Sequence, residues 1–181
     1  MTETDTKKPV RIFFALWPND EERAALAAWQ APLQKLVGGR QTPADKLHNT
    51  LVFLGDVEPD RLEALQLAAQ EVSAAEFQIV FDVARYWGHN HIVYAAPGSV
   101  PPKLGQLLSK LEQRLLHHHF RFDRRSYKPH VTLLRHAHWS DSPLTAVPQA
   151  VWKMREFVLV QSVSEGEGTR YEVLARFPLN P

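Results

Sequence analysis

Two copies of the phrase His-x-Thr-Leu stand far apart in this chain. The first copy contains His48 and Thr50, and the second contains His130 and Thr132. Each copy opens a short apolar run that is typical of a β-strand. Because residues i and i+2 of a strand point to the same face, each histidine shares a face with its threonine. If the two strands lie side by side, two imidazoles and two hydroxyl groups converge on one cleft.

Two histidines and two hydroxyl groups suit the in-line cleavage of a phosphodiester. That reaction needs a base for the nucleophile and an acid for the leaving oxygen on the opposite side. Histidine, whose reference pKa is about 6.5, can take either role near neutral pH. Threonine hydroxyls can donate to the non-bridging phosphate oxygens, and Arg135 is the candidate to balance their charge. Strict alternation puts Arg135 on the face opposite His130, so it reaches the cleft only if the strand bends, bulges or ends there.

Strand and helix patterns alternate around these motifs. Besides the two motif strands, β-branched and aromatic runs predict strands at residues 10–17, 77–84, 91–95, 157–163 and 170–177. Helical spacing of leucines predicts helices at residues 21–37, 58–74 and 102–119. Pro32 predicts a kink or break in the first helix. The strands at 77–84 and 91–95 are expected to form one hairpin.

The order helix, polar loop, His-x-Thr-Leu strand occurs twice, with negligible identity outside the motif. This repetition predicts an α+β fold with two lobes related by a pseudo-two-fold axis. Each lobe should contain an antiparallel sheet with helices on its outer face, and the lobes should enclose a central cleft. We expect residues 1–8 to form a flexible N-terminus and residues 9–181 to form a single two-lobed domain.

The composition is that of an ordinary globular protein, with 44% hydrophobic and 23% charged residues among 181. The lack of cysteine excludes disulfides and thiolate metal sites. We expect no signal peptide and no membrane-spanning segment, and we predict a cytoplasmic protein. A formal net charge of +1 argues against non-specific coating of nucleic acid. Residues 114–136 nevertheless carry six Lys and Arg against one acid, either as a phosphate site or as a solvated basic face.

Other residue types near the motifs suggest further sites. The histidines at residues 89–91 and 136–138 lie in or beside predicted turns, without a third ligand at a spacing typical of metal sites. We interpret them as solvated, and expect neither a metal nor a cofactor. Phe53 and Tyr127 are aromatic residues next to the motifs, and we predict them as candidates to stack on a nucleobase.

Both motifs resemble the H-h-T-h pattern, where h is hydrophobic, of the two-histidine (2H) phosphoesterases. The closer resemblance is to the bacterial RNA 2′,3′-cyclic phosphodiesterases, historically called 2′-5′ RNA ligases. Four segments carry it in the family's order over nearly the whole chain: RIFFALWP, LHNTLVFLGDV, PHVTLLR and FVLVQSVSEGEGTRYEVLARFPL. Asn49 departs from the pattern, because the family normally has a hydrophobic residue there. If Asn49 is buried, its amide needs hydrogen-bond partners.

The resemblance implies a bilobal α+β fold and metal-independent opening of an RNA 2′,3′-cyclic phosphate to a 2′-phosphate. It makes His48 and His130 the acid–base pair, and Thr50, Thr132 and Arg135 the phosphate-binding residues. If the 2′-phosphate is the product, O3′ is the leaving group. We then expect His48 to protonate O3′ and His130 to activate water. With an RNA 5′-hydroxyl in place of water, the reverse reaction is 2′-5′ ligation.

Two other functions stay open from the sequence. One is a two-histidine phosphoesterase that acts on a small cyclic nucleotide or on 2′-5′-linked oligonucleotides. The other is a non-catalytic module that binds RNA ends, although the intact second His-Thr pair argues against it. For the favoured function, we expect a monomer whose partner is RNA with a 2′,3′-cyclic phosphate end, tRNA fragments included.

Overall fold

The computed structural model describes residues 7–123, 126–139 and 146–181. The predicted flexible N-terminus, residues 1–8, lies outside this description except for its last two residues. Along the described chain the strands are β1 (Val10–Leu16), β2 (Arg40–Gln41), β3 (Asn49–Val57), β4 (Phe77–Phe81), β5 (Val83–Trp87), β6 (Ile92–Ala96), β7 (Val131–Arg135), β8 (Ala150–Met154), β9 (Glu156–Glu165) and β10 (Gly168–Pro178). The helices are α1 (Asp20–Val37), α2 (Leu62–Gln70) and α3 (Pro102–His117).

Two main antiparallel sheets carry the two motifs. One has the strand order β10-β9-β1-β3, and the other has the order β2-β7-β6-β5. In each sheet the motif strand pairs with the strand that precedes its helix, β3 with β1 and β7 with β6. A separate two-stranded sheet joins β4 to β8. The fold is therefore α+β, with two antiparallel sheets that repeat one plan.

The helices cover the sheets crosswise. Helix α1 lies between β1 and β3 in the chain, but it packs against β7 and β8. Helix α3 lies between β6 and β7, but it packs against β3 and α2. Each helix therefore supports the motif strand of the other lobe. Among the described residues, no helix is both long enough and apolar enough to cross a membrane.

Helix α1 begins close to its predicted start because Asn19 caps it. The Asn19 side-chain oxygen accepts the Glu22 backbone N–H at 2.8 Å, and the Glu22 carboxylate accepts the Asn19 backbone N–H at 3.0 Å. This reciprocal pair is a capping box. The helix runs through Pro32 to Val37, so of the predicted kink or break the break does not occur, and the kink stays a prediction. Pro32 is exposed, and water can satisfy the carbonyl four residues earlier that proline leaves without a donor.

Two predictions about the middle of the chain were wrong in detail. The predicted strand at residues 77–84 is split at Asp82 into β4 and β5, which belong to different sheets. The Asp82 carboxylate accepts the Gly98 backbone N–H at 2.6 Å and so fixes the interruption. The hairpin is therefore β5 with β6, and β4 pairs instead with β8, a strand that was not predicted. The second helix, predicted over residues 58–74, spans only Leu62–Gln70 after a short 3₁₀ turn.

The first sheet is buried on both faces near β1. Ile12 and Phe14 belong to the main hydrophobic core under the helices. Phe13 and Ala15 alternate with them and belong to a smaller cluster on the opposite face, together with apolar residues of β9. This second cluster lies against His48, the first motif histidine.

Candidate functional site

Both motif strands line one cleft of about 580 Å³. The side chains predicted as the acid–base pair and the phosphate ligands all contribute to its lining: His48, Thr50, His130, Thr132 and Arg135. Two segments that were not predicted also line it, residues 40–43 and the β9–β10 hairpin with Glu167, Thr169 and Tyr171. The fold thus brings the two motifs together, while the chemical roles of their side chains stay a prediction.

The His48 ring is held at both nitrogens. Its Nδ1 lies 2.7 Å from the Lys46 carbonyl oxygen, and its Nε2 lies 3.0 Å from the Thr50 hydroxyl oxygen. A carbonyl oxygen can only accept, so Nδ1 must carry a proton. In the neutral ring Nε2 then has the free lone pair and accepts the Thr50 hydroxyl proton. The backbone therefore fixes the tautomer of His48.

The His130 ring has the same anchor in the other lobe. Its Nδ1 lies 2.8 Å from the Lys128 carbonyl oxygen, so Nδ1 donates and Nε2 is again the nitrogen left for chemistry. In both lobes the accepting carbonyl stands two residues before the histidine and belongs to a lysine. The repeat is thus six residues long, Lys-x-His-x-Thr-Leu.

Each histidine lies on an aromatic platform that was not predicted. The His48 ring contacts Phe13 at 5.1 Å, Trp17 at 5.5 Å and Tyr171 at 5.2 Å between ring centroids. The His130 ring meets Trp87 edge-on at 4.7 Å and Tyr94 at 5.8 Å. These rings come from four strands and one strand end that are distant in sequence. Local patterns therefore gave no signal for them beyond the strands themselves.

A β-bulge brings Arg135 to the cleft. In the β6–β7 pair Tyr94 is opposite Thr132 and Val93 is opposite Leu134, so Leu133 is an extra residue. One extra residue reverses the alternation beyond it. Arg135 therefore lines the same cleft as Thr132, whereas strict alternation placed it on the opposite face. From the sequence, Arg135 was expected to reach the cleft only if its strand bends, bulges or ends there, and the structure shows a bulge.

Strand β3 has the same bulge at the equivalent residue. Ala15 is opposite Thr50 and Phe14 is opposite Val52, which leaves Leu51 as the extra residue. The residue that corresponds to Arg135 in the first lobe is therefore Phe53. It pairs with Phe13, whose ring contacts His48, so Phe53 lies on the cleft face of its sheet.

Phe53, predicted as a base-stacking residue, is available for such a contact. Its side chain is 37% exposed, and the Arg11 guanidinium lies 5.1 Å from its ring centroid. It stands beyond the residues that line the cleft itself. A base that extends out of the cleft along this sheet would meet the ring, so stacking on Phe53 stays a prediction.

Tyr127 has a different place from the one predicted. It packs against the main hydrophobic core, and its hydroxyl donates to the Asn49 side-chain oxygen at 3.1 Å. Burial raises the pKa of the Tyr127 hydroxyl. Asn49 is fully buried, and its amide nitrogen has no partner in the described part of the chain. Tyr127 is therefore half-buried and held by Asn49, the residue that departs from the motif, and its stacking on a base stays a prediction.

The cleft is electropositive, and the pKa values of the two histidines are lowered for different combinations of reasons. Burial, with smaller effects from the charges of His130, Arg135 and Arg23, lowers the pKa of His48 to about 4. Burial also lowers the pKa of His130, and the hydrogen bond to the Lys128 carbonyl opposes this. His48 is therefore neutral at pH 7.

The other histidines do not form a metal site in the described chain. His91 and His138 approach each other, with ring centroids 5.4 Å apart, and the Tyr86 hydroxyl lies 2.9 Å from His91 Nδ1. Across residues 7–123, 126–139 and 146–181, however, no group of three His, Asp or Glu side chains is arranged to hold an ion.

This chain is similar in sequence to proteins named RNA 2′,3′-cyclic phosphodiesterase. A family model described as the 2′-5′ RNA ligase superfamily matches residues 18–164. The RNA 2′,3′-cyclic phosphodiesterase of Escherichia coli (strain K12) is 32% identical over 174 residues, which cover 95% of this chain and 98% of the relative. The protein of the same name from Thermus thermophilus is 28% identical over 192 residues, which cover 94% and 90% of the two chains.

The fold is similar to that of a solved relative over almost the whole chain. E. coli LigT in its apo form superposes with a TM-score of 0.84 at 30% identity, covering 97% of this chain and 100% of LigT. E. coli LigT complexed with 3′-AMP superposes with a TM-score of 0.85 at 30% identity, covering 96% and 100%. The two-lobed arrangement around the cleft is therefore shared with these structures.

Proposed function

We propose that this chain, which belongs to the 2′-5′ RNA ligase superfamily, hydrolyses RNA 2′,3′-cyclic phosphate ends to 2′-phosphates. The observation that carries the proposal is the convergence of two backbone-anchored His-x-Thr pairs and one arginine on one cleft. The relatives named RNA 2′,3′-cyclic phosphodiesterase support the choice of substrate. Four further points stay predictions. They are the source of the RNA ends, tRNA fragments included, the monomeric state, the single two-lobed domain and a cytoplasmic location.

The two histidines supply the two proton transfers of an in-line displacement. Water attacks the phosphorus opposite O3′, and His130 Nε2 takes its proton. The P–O3′ bond breaks as the new P–O bond forms, and His48 Nε2 gives its proton to O3′. The product is a 2′-phosphate with a free 3′-hydroxyl. Each such transfer is typically worth about 10²- to 10⁴-fold in rate.

Thr50, Thr132 and Arg135 hold the phosphate during this displacement. The threonine hydroxyls share a face with the histidines and donate to the non-bridging oxygens. The Arg135 guanidinium balances the charge that develops on those oxygens, and it can do so from two nitrogens at once. Proton transfer and charge stabilisation are then supplied by side chains, so the proposed route is independent of a metal.

His48 must gain a proton before it can act as the acid. Its pKa is about 4, mainly because the ring is buried and in part because Arg135 and Arg23 repel a further positive charge. A bound phosphate anion pairs with Arg135 and attracts the imidazolium, and both effects raise the pKa of His48. Substrate binding therefore charges the acid. Since the base must be neutral and the acid protonated, we expect a bell-shaped dependence of kcat on pH.

The same site can also ligate RNA ends, which is the reverse of the cyclising cleavage of a 2′-5′ linkage. An RNA 5′-hydroxyl in place of water attacks the cyclic phosphate, and His130 takes the hydroxyl proton. His48 again protonates O3′, and the product is a 2′-5′ phosphodiester. This step uses the same residues and atoms as the hydrolysis, with only the nucleophile changed.

The test is an assay on an oligoribonucleotide that ends in a 2′,3′-cyclic phosphate, run in EDTA. Wild type should yield a 2′-phosphate, and His48→Ala and His130→Ala should each lower kcat by about 10²- to 10⁴-fold. His117→Ala, at the exposed end of α3, is the matched control and should leave kcat unchanged.

Other outcomes separate the alternatives. Binding without turnover in wild type would favour a module that binds RNA ends. Turnover that is lost in EDTA and restored by a metal would contradict the metal-independent route. A preference for cyclic mononucleotides or 2′-5′-linked oligonucleotides would assign a different phosphodiester to the same cleft.

A further inference from the structure

A second arginine lies beside Arg135 on the rim of the cleft. Arg40 and Arg135 are partners in the antiparallel β2–β7 pair, in which opposed Cα atoms are about 4.5–5.5 Å apart. Opposed residues share a face of the sheet, and like charges there are destabilising. In the described chain neither guanidinium forms a hydrogen bond or an ion pair with a protein group. Two cations held side by side without a partner are an arrangement that an anion stabilises.

The backbone of β2 is firmly anchored, so this proximity is built into the fold. Gly39 has φ +88°, and a Cβ there would lie 2.6 Å from the Arg135 carbonyl oxygen. Only glycine therefore allows β2 to approach β7 this closely. Gln30, 3% exposed on α1, donates from its side-chain nitrogen to the Thr42 carbonyl at 2.8 Å and to the Leu133 carbonyl at 3.0 Å. The second of these is the carbonyl of the bulge residue in β7.

Thr42 adds an independent observation at the same place. It stands two residues after Arg40 and also lines the cleft. Its hydroxyl oxygen is buried and has no hydrogen-bond partner in the described chain. A buried hydroxyl without a partner is unfavourable. Rotation about the Cα–Cβ bond of Thr42, which is half-buried as a residue, would turn this hydroxyl into the cleft, where a ligand oxygen beside Arg40 satisfies it.

The charge of the lining favours an anion over a neutral ligand. Arg40, Lys46 and Arg135 contribute positive charge, and Glu167 is the carboxylate among the described lining residues. In the proposed function Arg135 is already committed to the cyclic phosphate. The charge on Arg40, one strand further out, is therefore left for a second phosphate.

We propose that Arg40 and Thr42 form a second phosphate subsite, which binds the phosphodiester joining the terminal nucleotide to the preceding one. This inference rests on the proposed function, because it takes the cyclic phosphate to lie between the two histidines. It makes an RNA chain end the substrate class in preference to a cyclic mononucleotide. Arg40 then gives affinity for the chain, and the motif residues act on its end.

Three substrates test the subsite directly. The first is a nucleoside 2′,3′-cyclic phosphate without a 5′-phosphate, and the second is a dinucleotide with the same cyclic end. The third is that dinucleotide with a neutral methylphosphonate linkage. The proteins are wild type, Arg40→Gln and Thr42→Val. Arg155→Gln removes one exposed arginine outside the cleft and is the matched control.

Wild type should prefer the dinucleotide, and Arg40→Gln should lower the dinucleotide-to-mononucleotide ratio of kcat/KM by roughly tenfold, as for a hydrogen bond to a charged group. Thr42→Val should lower the ratio less. In wild type, the methylphosphonate linkage should lower kcat/KM about as much as Arg40→Gln lowers it on the normal dinucleotide. In Arg40→Gln, the methylphosphonate should lower kcat/KM little further. On a longer oligonucleotide, Arg40→Gln should reduce the slope of log kcat/KM against log salt by about 0.7, the value for one phosphate contact on a single strand.

Equal losses on mononucleotide and dinucleotide in Arg40→Gln would overturn the subsite, and so would a methylphosphonate penalty that persists in that variant. If wild type turns over none of the substrates, the proposed function fails, but the subsite is still tested by binding. Calorimetry on the dinucleotides ending in a 2′-phosphate then compares the phosphodiester with the methylphosphonate. Equal affinities in wild type would overturn the subsite there too.

Discussion

The two His-x-Thr lobes share a backbone plan but differ in what surrounds each histidine. His48 lies among three aromatic rings and close to Arg23 and Arg135, and its pKa falls to about 4. His130 has Trp87 and Tyr94 on one side, and burial lowers its pKa against the opposing effect of the Lys128 carbonyl. The same motif therefore sits in two electrostatic settings. In the free protein His48 is neutral, so in the proposed function it becomes the acid only when a bound phosphate raises its pKa.

The equivalent positions beyond the bulges make the contrast sharper. The second lobe has Arg135 there, and the first lobe has Phe53. In the proposed function, one lobe thus supplies the fixed positive charge for the phosphate, and the other presents an aromatic ring to the nucleotide that extends from it. The repeated backbone plan places two imidazoles at one site. Single residues that differ between the two lobes, such as Arg135 and Phe53, make the two sides of that site chemically different.

The largest expected effect tests which lobe supplies the acid. His48→Ala and His130→Ala should each lower kcat by about 10²- to 10⁴-fold on the natural cyclic phosphate. With sulfur in place of O3′, the leaving group is a thiolate whose conjugate acid has a pKa of about 8.5, so it needs little help from an acid. Turnover of the sulfur substrate, measured as thiol release, should be restored in His48→Ala but not in His130→Ala. Restoration in His130→Ala alone would reverse the assignment.

The next effect tests the contrast beyond the bulges. Arg135→Gln should lower kcat by roughly 10²-fold, since one fixed donor to a developing oxyanion is worth about that much. Phe53→Ala should leave kcat on a cyclic mononucleotide nearly unchanged and raise KM for an oligonucleotide about fivefold, the lower end of base stacking on an aromatic ring. Steady-state kinetics on both substrates separates the two. Equal effects of the variants on both substrates would remove the proposed division of labour.

The sequence predicted those features of the site that depend only on neighbouring residues within one strand. Residues i and i+2 of a strand must share a face, so the pairing of His48 with Thr50 and of His130 with Thr132 follows from the sequence alone. The place of Arg135 could not be settled in that way, because a bulge depends on the partner strand and leaves no mark in a five-residue run. The split of the predicted strand at Asp82 has the same origin, since its two parts pair with different strands.

Residues whose role depends on distant partners were missed or misplaced. The position of Tyr127 before a motif in a basic segment predicts an exposed aromatic ring, but Asn49, far away in sequence, holds its hydroxyl. The two-residue strand β2 is too short for any periodicity, so Arg40 gave no signal. Its position is set by Gly39 and Gln30, which act through contacts across the fold.

A pH-dependent stability should distinguish the settings of the two histidines. The pKa of His48 is about 4 when folded and about 6.5 when unfolded, so the unfolded chain takes up the proton first as the pH falls. The contribution of His48 is therefore complete above pH 6.5 and is lost towards pH 4, by up to about 3 kcal/mol. Denaturant unfolding at several pH values should show this loss. His48→Gln should flatten the curve more than His130→Gln, and equal flattening would contradict the difference between the lobes.

The smallest expected effect concerns the hydrogen bond between Tyr127 and Asn49, which links the segments before the two motif strands. Tyr127→Phe leaves both ends of the buried Asn49 amide without partners, and should lower the free energy of unfolding by about 1–2 kcal/mol. Asn49→Val/Tyr127→Phe removes every polar atom of the pair and should restore the stability of wild type, as measured by denaturant unfolding. Asn49 lies between His48 and Thr50, so kcat reports whether the bond also positions the motif. If stability returns while kcat stays low, the bond aligns the two lobes, and if both return, it only compensates for a polar residue in a hydrophobic position.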